Sequence, residues 1–142
     1  MQTRDYLGQI YRLNKTIQNK IEELAEYKEL AFSISAVTND EKIQASLTQD
    51  RIGNALAKIE QLEKNLDELI DSYVDKRNLI ISQIENMENE TYYEILFSRY
   101  VEKKKLEQIS VDMDYTFRHT TRLHGLALQE FERKYGETYL NL

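Results

Sequence analysis

Arg118 and Arg122 stand one helical turn apart, and Phe117 and Thr121 repeat that spacing one residue earlier. Upstream lies an uninterrupted cationic triplet, Lys103, Lys104 and Lys105. Guanidinium groups are planar forks of N–H donors that match phosphate oxygens and guanine edges, and ammonium groups act toward phosphate as point charges. Residues four apart share one face of a helix. The pattern therefore suits recognition of a polyanion with readable edges, which is duplex DNA. Residues 99–122 carry six basic side chains (Arg99, Lys103, Lys104, Lys105, Arg118 and Arg122) against four acidic ones, with His119 in the same span and His124 just beyond it. The chain as a whole has a net charge of −6. Phosphates respond to charge within about 8–10 Å in physiological salt, so the local balance outweighs the global one. Residues 1–90 hold 11 Lys/Arg against 17 Asp/Glu, and residues 91–142 hold eight of each. The acidic excess lies wholly in the N-terminal part, which is expected to be kept away from the duplex.

Other chemistries find little support in the sequence. His119 and His124 lie five apart, off one helical face, with no third ligand near, so neither metal binding nor proton transfer is expected of them. There is no cysteine, which excludes disulfides and thiolate metal sites and fits a reducing compartment. Acidic pairs such as Glu22-Glu23 and Asp67-Glu68 fall on solvent faces of helices and read as solubility. Tyr92, Tyr93 and Tyr100 form a helical aromatic stripe of the kind that fills a core. Without a glycine-rich phosphate loop or a nucleophile motif, no catalytic residue, metal or cofactor is expected, and the chain does not read as an enzyme.

The elements that must position the cationic residues are short. Residues 92–101 offer Ile95, Leu96 and Tyr100 to one side of a scaffold helix, entered through Asn89 or Thr91 as the cap. Leu106, Ile109 and Met113 give a second helix its apolar face. Asp114-Tyr115 makes the turn, and Thr116 is placed to cap a third helix by accepting from a backbone amide. Leu123, Leu126, Ala127 and Phe131, with Thr120, form that helix's buried side. Phe117, Arg118, Thr121 and Arg122 are left facing outward near its start. Two short helices, a tight turn and an exposed polar entry to the second helix make a helix-turn-helix pattern.

The rest of the chain is built to be helical: it has no proline, four glycines and 31% charged residues. Residues 2–33 place Ile10, Ile17, Leu24 and Ala31 seven apart, flanked by Leu13, Ile21 and Tyr27. Residues 33–48 lose this rhythm and gather polar residues around Thr38-Asn39-Asp40, where the chain is expected to turn, with Ile43 and Leu47 allowing a short helical turn. From Asp50 the ladder resumes through Ile52, Ile59, Leu66, Tyr73, Ile80 and Met87, with Ala55, Leu62 and Leu69 as companions. A strict seven-residue repeat asks for a partner helix, and the first segment is the obvious one. The longer second helix leaves a surplus stripe between Tyr73 and Met87. Either the C-terminal part folds back on it or a second copy of the chain does; paired half-sites in DNA favour the homodimer.

Residues 95–128 resemble the fourth conserved region of bacterial sigma factors, through Ile95-Leu-Phe-Ser-Arg-Tyr-Val101, Leu106-Glu-Gln-Ile109, Tyr115-Thr116 and Leu123-His-Gly-Leu-Ala-Leu128. The chain is similar to small phage-encoded transcriptional regulators that carry such a domain, late-transcription activators among them. The resemblance implies that Phe117, Arg118, Thr121 and Arg122 meet the major groove. It also implies phosphate contacts from the basic loop and the helix starts, here Arg99, Lys103, Lys104, Lys105, Thr116 and His119. Two positions depart from the family pattern: Asp114 replaces the usual turn glycine, and Ser110 a small residue that is usually alanine. Aspartate tolerates the left-handed conformation better than most residues, and Ser110 fits if its hydroxyl bonds the backbone. Phe117, where arginine is common, implies apolar contact with a thymine methyl.

The expected fold is all-α: a long antiparallel coiled-coil hairpin over residues 1–90, then a three-helix helix-turn-helix domain over residues 91–142. The expected role is sequence-specific regulation of transcription, with double-stranded DNA as ligand, a homodimer as the assembly and host RNA polymerase as a further partner. The rival from another class is an interaction protein that docks on polymerase, anti-sigma or co-activator fashion, without reading DNA. A purely structural coiled coil accounts for the heptads and leaves residues 99–122 unexplained. No apolar run approaches the roughly 18 residues needed to cross a bilayer, and the polar N-terminus lacks a signal peptide's core, so a bacterial cytoplasm is the expected location.

Overall fold

The computed structural model describes the backbone of residues 1–37 and 42–142 and the side chains of residues 1–33 and 49–142. Among the described residues there are six α-helices and no strands. They are α1 (Thr3–Leu7), α2 (Gln9–Val37), α3 (Lys42–Glu85), α4 (Glu90–Leu96), α5 (Leu106–Asp112) and α6 (Phe117–Tyr135). A π-helical turn, Phe97–Val101, continues α4, and a 3₁₀ turn, Gly136–Thr138, follows α6. Among the described residues no helix is long and apolar enough to cross a membrane.

The turn expected at Thr38-Asn39-Asp40 lies outside the described residues. Much of the surrounding segment is helical: α2 continues to Val37 and α3 already begins at Lys42. Apolar rhythm is lost on both sides, but residues 33–37 and 42–48 hold no glycine or proline, and helix propensity keeps them helical.

Two compact units are distinguished, residues 1–13 with 73–142, and residues 14–72. The segment boundary expected at residue 90 thus falls inside the first unit. The reason is that unit's core. Tyr6, Leu7 and Ile10 pack with Ile80, Ile84 and Met87 from the end of α3, with Leu96 of α4, with Ala127, Leu128 and Phe131 of α6, and with Tyr139 beyond it. Tyr6 stacks on Tyr139 with ring centroids 4.2 Å apart and donates a 2.6 Å hydrogen bond to Gln83. Thr3 shares a hydrogen bond of 2.8 Å with the Tyr139 hydroxyl, and Lys134 donates to the Asn86 carbonyl just past α3. Tyr73, Tyr92, Tyr93 and Tyr100 pack on this core as well. The surplus stripe is therefore covered, at Ile80, Ile84 and Met87, by the chain's own C-terminal part. Val74 and Leu79 remain exposed.

In the second unit, Ile17 and Leu24 of α2 and Ala55 and Leu62 of α3 are buried, each pair at the heptad interval. Lys28 pairs with Glu63 at 3.4 Å, and the Lys58 ammonium lies 6.0 Å from the Tyr27 ring centre. Burying these aliphatic side chains contributes about 1.5–3 kcal/mol each for the larger ones.

Candidate nucleic-acid interface

Local sequence sets the geometry of the candidate site one turn at a time. Asn89 caps α4 by accepting from the amides of Thr91 and Tyr92 at 2.9 and 3.2 Å. The scaffold helix expected over residues 92–101 widens at Phe97 into the π-helical turn, closed by the Glu102 amide donating to the Phe97 carbonyl at 3.0 Å. Arg99 then donates to the Lys104 carbonyl at 3.1 Å, which ties the basic loop to the helix that precedes it. Lys103 sits in the left-handed region at φ 61°, and this reversal sends the three lysines different ways.

Lys104 reaches Asp112 at 3.1 Å and Glu102 at 3.6 Å, and hydrogen bonding to Asp112 raises its pKa. Asp112 is held below the ordinary carboxylate value by hydrogen bonds from Gln108 and Lys104. The Lys103 ammonium lies 5.7 Å from the ring centre of Tyr11 on α2. Lys105 occupies the N-cap position of α5 and is exposed, with no ion pair among the described residues. The triplet is thus not one patch. Lys105 is open to an anion, Lys103 lies over an aromatic ring, and Lys104 is already neutralised by carboxylates.

The chain leaves α5 through a Schellman turn. The Tyr115 amide donates to the Ser110 carbonyl at 2.9 Å and the Asp114 amide to the Val111 carbonyl at 3.2 Å. Asp114 takes the left-handed position at φ 56°, the conformation that glycine most often supplies there. Ser110 is buried and donates to the Glu107 carbonyl at 2.6 Å, so its hydroxyl leaves no unsatisfied polar group. Thr116 caps α6 by accepting from the His119 amide at 3.1 Å.

On α6, Thr120, His124, Ala127, Leu128 and Phe131 are buried, while Phe117, Arg118, Thr121 and Arg122 are exposed. Phe117 is 51% exposed. Arg118 makes no ion pair among the described residues, and Arg122 approaches only the His119 imidazole, at 3.4 Å. Thr121 donates back to the Phe117 carbonyl at 2.9 Å, leaving its methyl group and hydroxyl lone pairs to the surface. His119 packs edge-on against Tyr115 with centroids 5.0 Å apart. The four side chains expected to read bases are therefore together on one exposed face. Of those expected to hold phosphate, Thr116 serves as a helix cap, Arg99 and Lys104 have partners within the chain, and Lys105 and His119 flank the exposed face's helices.

A polar pair joins the π-helical turn to α6. The Tyr100 hydroxyl and His124 Nε2 share a hydrogen bond of 2.8 Å, their rings stacked with centroids 5.7 Å apart. Burial, aided by the positive charges of Arg4 and Arg99, lowers the His124 pKa from 6.5 to about 4, so the ring is neutral at physiological pH. Burial likewise raises the Tyr100 phenol. His124 looks like a surface histidine when set beside His119, and only its place in the 120–124–127–131 ladder marks it as buried. Arg4, near the other end of the chain, carries no such signal. Among the described residues no three carboxylate, imidazole or thiol groups converge as a metal site would require. Comparison of the chain with protein-family models, with curated proteins and with solved structures returned no match.

Proposed function

We propose that the protein is a sequence-specific DNA-binding regulator of transcription in which α5 and α6 form a helix-turn-helix and α6 enters the major groove. One observation carries this: a Schellman turn with Asp114 left-handed and Thr116 as cap delivers a helix whose first two turns expose Phe117, Arg118, Thr121 and Arg122 together. Arg118 and Arg122 donate to guanine edges or phosphates, Phe117 packs on a thymine methyl, and Thr121 contributes to base choice. Lys105, Lys103 and His119 supply phosphate contacts from the helix starts and the basic loop. The similarity of residues 95–128 to sigma region 4 supports the same role and brings host RNA polymerase in as a second partner, in a bacterial cytoplasm. Lys28 with Glu63, and Tyr27 with Lys58, set α2 beside α3, which supports the helical hairpin. With Ile80, Ile84 and Met87 covered by the chain itself, a homodimer rests on the exposed Ile70, Val74 and Leu79 of α3.

A second reading is favoured by Val111, 73% exposed, and Tyr115 beside the turn: an apolar pair suited to docking on a protein such as RNA polymerase without DNA contact. Selection on random duplex DNA separates the two. DNA reading predicts an enriched sequence whose binding weakens steeply with salt and is lost in the Arg118→Ala, Arg122→Ala double variant. Docking predicts no enrichment at any salt.

A further inference from the structure

The two arginines of the exposed face of α6 differ in what surrounds them. Arg118 makes no ion pair among the described residues, whereas Nη2 of Arg122 lies 3.4 Å from Nδ1 of His119. A guanidinium carries donors only, so Nδ1 accepts and the imidazole proton sits on Nε2. His119 is itself fixed from two sides. Its amide donates to Thr116 Oγ1 at 3.1 Å, and its ring meets the Tyr115 ring edge-on, with centroids 5.0 Å apart and planes at 77°. Tyr115 is held in turn by the Schellman turn, through its amide bond to the Ser110 carbonyl at 2.9 Å. Tyr115, His119 and Arg122 follow one another at intervals of four and three, the spacing that brings side chains together along one side of a helix. A contact path thus runs from the turn to one guanidinium of the reading face and bypasses the other.

Immobilising a long, rotamer-rich side chain at an interface weakens binding by about two- to tenfold. A partner that orders Arg122 before DNA arrives removes part of that loss. Orientation also separates the two kinds of contact open to an arginine. A two-bond fork on guanine needs the guanidinium plane aligned with the base edge, whereas neutralising a phosphate asks chiefly for proximity. Spending one N–H on Nδ1 leaves Arg122 the rest of its fork, enough for O6 and N7 of one guanine. The untethered Arg118 is better matched to phosphate. Nε2–H of His119 stays available for the phosphate contact assigned to it above.

We infer that His119 is a positioning residue that holds Arg122 for a guanine edge, while Arg118 takes a backbone phosphate, so that the two arginines of α6 have different roles. The inference rests on α6 reading DNA. Its test uses the duplex selected by the wild-type protein and copies of it changed at one base pair each. Arg122→Ala should abolish the preference at one G·C pair. Arg118→Ala should weaken all the duplexes about equally and make the slope of log K against log salt shallower by about 0.9. His119→Ala should lower the preference at the pair read by Arg122 by about two- to tenfold, equally so beside Arg118→Ala, and have no effect on it beside Arg122→Ala. His119→Asn sets a carbonyl oxygen in the place of Nδ1 and should restore the preference. Both His119 variants lack Nε2–H, so their difference reports the Arg122 contact alone. A ratio of affinities for two duplexes does not depend on the fraction of a variant that is folded, so loss of stability leaves the test readable. Equal weakening of matched and changed duplexes by His119→Ala, or an undiminished effect of it beside Arg122→Ala, would overturn the positioning role and leave DNA reading intact. Loss of base preference in Arg118→Ala would do the same to the division of roles. Absence of DNA binding by the wild-type protein would overturn both the inference and the reading it rests on.

Discussion

His124 ties stability to pH in a way that can be calculated. Its imidazole is buried on α6, bonded to the Tyr100 hydroxyl at 2.8 Å, and has its pKa lowered to about 4 from 6.5 by burial and by Arg4 and Arg99. The unfolded chain therefore binds a proton there more tightly than the folded one, and stability rises with pH across that interval. The contribution is complete above about pH 6.5, declines as pH falls toward 4, and declines no further below that. At pH 5 the loss relative to pH 7 comes to about 2 kcal/mol for this group alone. Replacing His124 with glutamine removes the titration while keeping an amide able to meet Tyr100. Urea denaturation of both proteins at pH 7 and pH 5 gives the difference directly, since carboxylates titrate alike in the two. The wild-type protein should lose about 2 kcal/mol more than His124→Gln over that interval. Equal losses in the two proteins would mean that the imidazole is not held neutral in the core.

Other consequences concern the turn and the core. Asp114→Gly should stabilise the fold by about 0.5–1 kcal/mol, because glycine takes φ 56° without a Cβ penalty, and Asp114→Val should destabilise it; denaturant midpoints decide. Thr116→Ala removes the acceptor for the His119 amide and should cost about 1 kcal/mol, read by thermal unfolding. Phe131→Ala empties a fully buried position touching Tyr6, Tyr135 and Tyr139 and should cost about 3–5 kcal/mol, the largest loss among single truncations in α6.

The helical architecture and the turn between α5 and α6 are legible in the sequence because their signals are local. A chain without proline, Thr116 before a helical stripe, and Asp114 where a left-handed residue is needed all act within a few positions of themselves. The same holds for Asn89 at the start of α4. What escapes is long-range. Tyr6, Leu7 and Ile10 continue the period that leads to Ile17 and Leu24, so nothing in their spacing tells that they pack with Phe131 and Tyr139. The buried partnership of Tyr100 and His124, and the approach of Arg4 to both, likewise depend on residues that meet only after folding. The divergence of Lys103, Lys104 and Lys105 follows from one positive φ at Lys103, which a lysine does not announce. The widening of α4 at Phe97 has no sequence signal that we can identify.

Whether α6 reads DNA is tested most directly by measuring the protein's binding to its best duplex from a random pool, at low and near-physiological salt, alongside the Arg118→Ala, Arg122→Ala variant. Sequence-specific reading predicts an enriched motif, affinity that falls steeply with salt, and a loss of about 1–3 kcal/mol for each arginine that makes a bidentate base contact. A pool with no enriched sequence, or a double variant that binds the selected duplex as tightly as the wild-type protein, would contradict it.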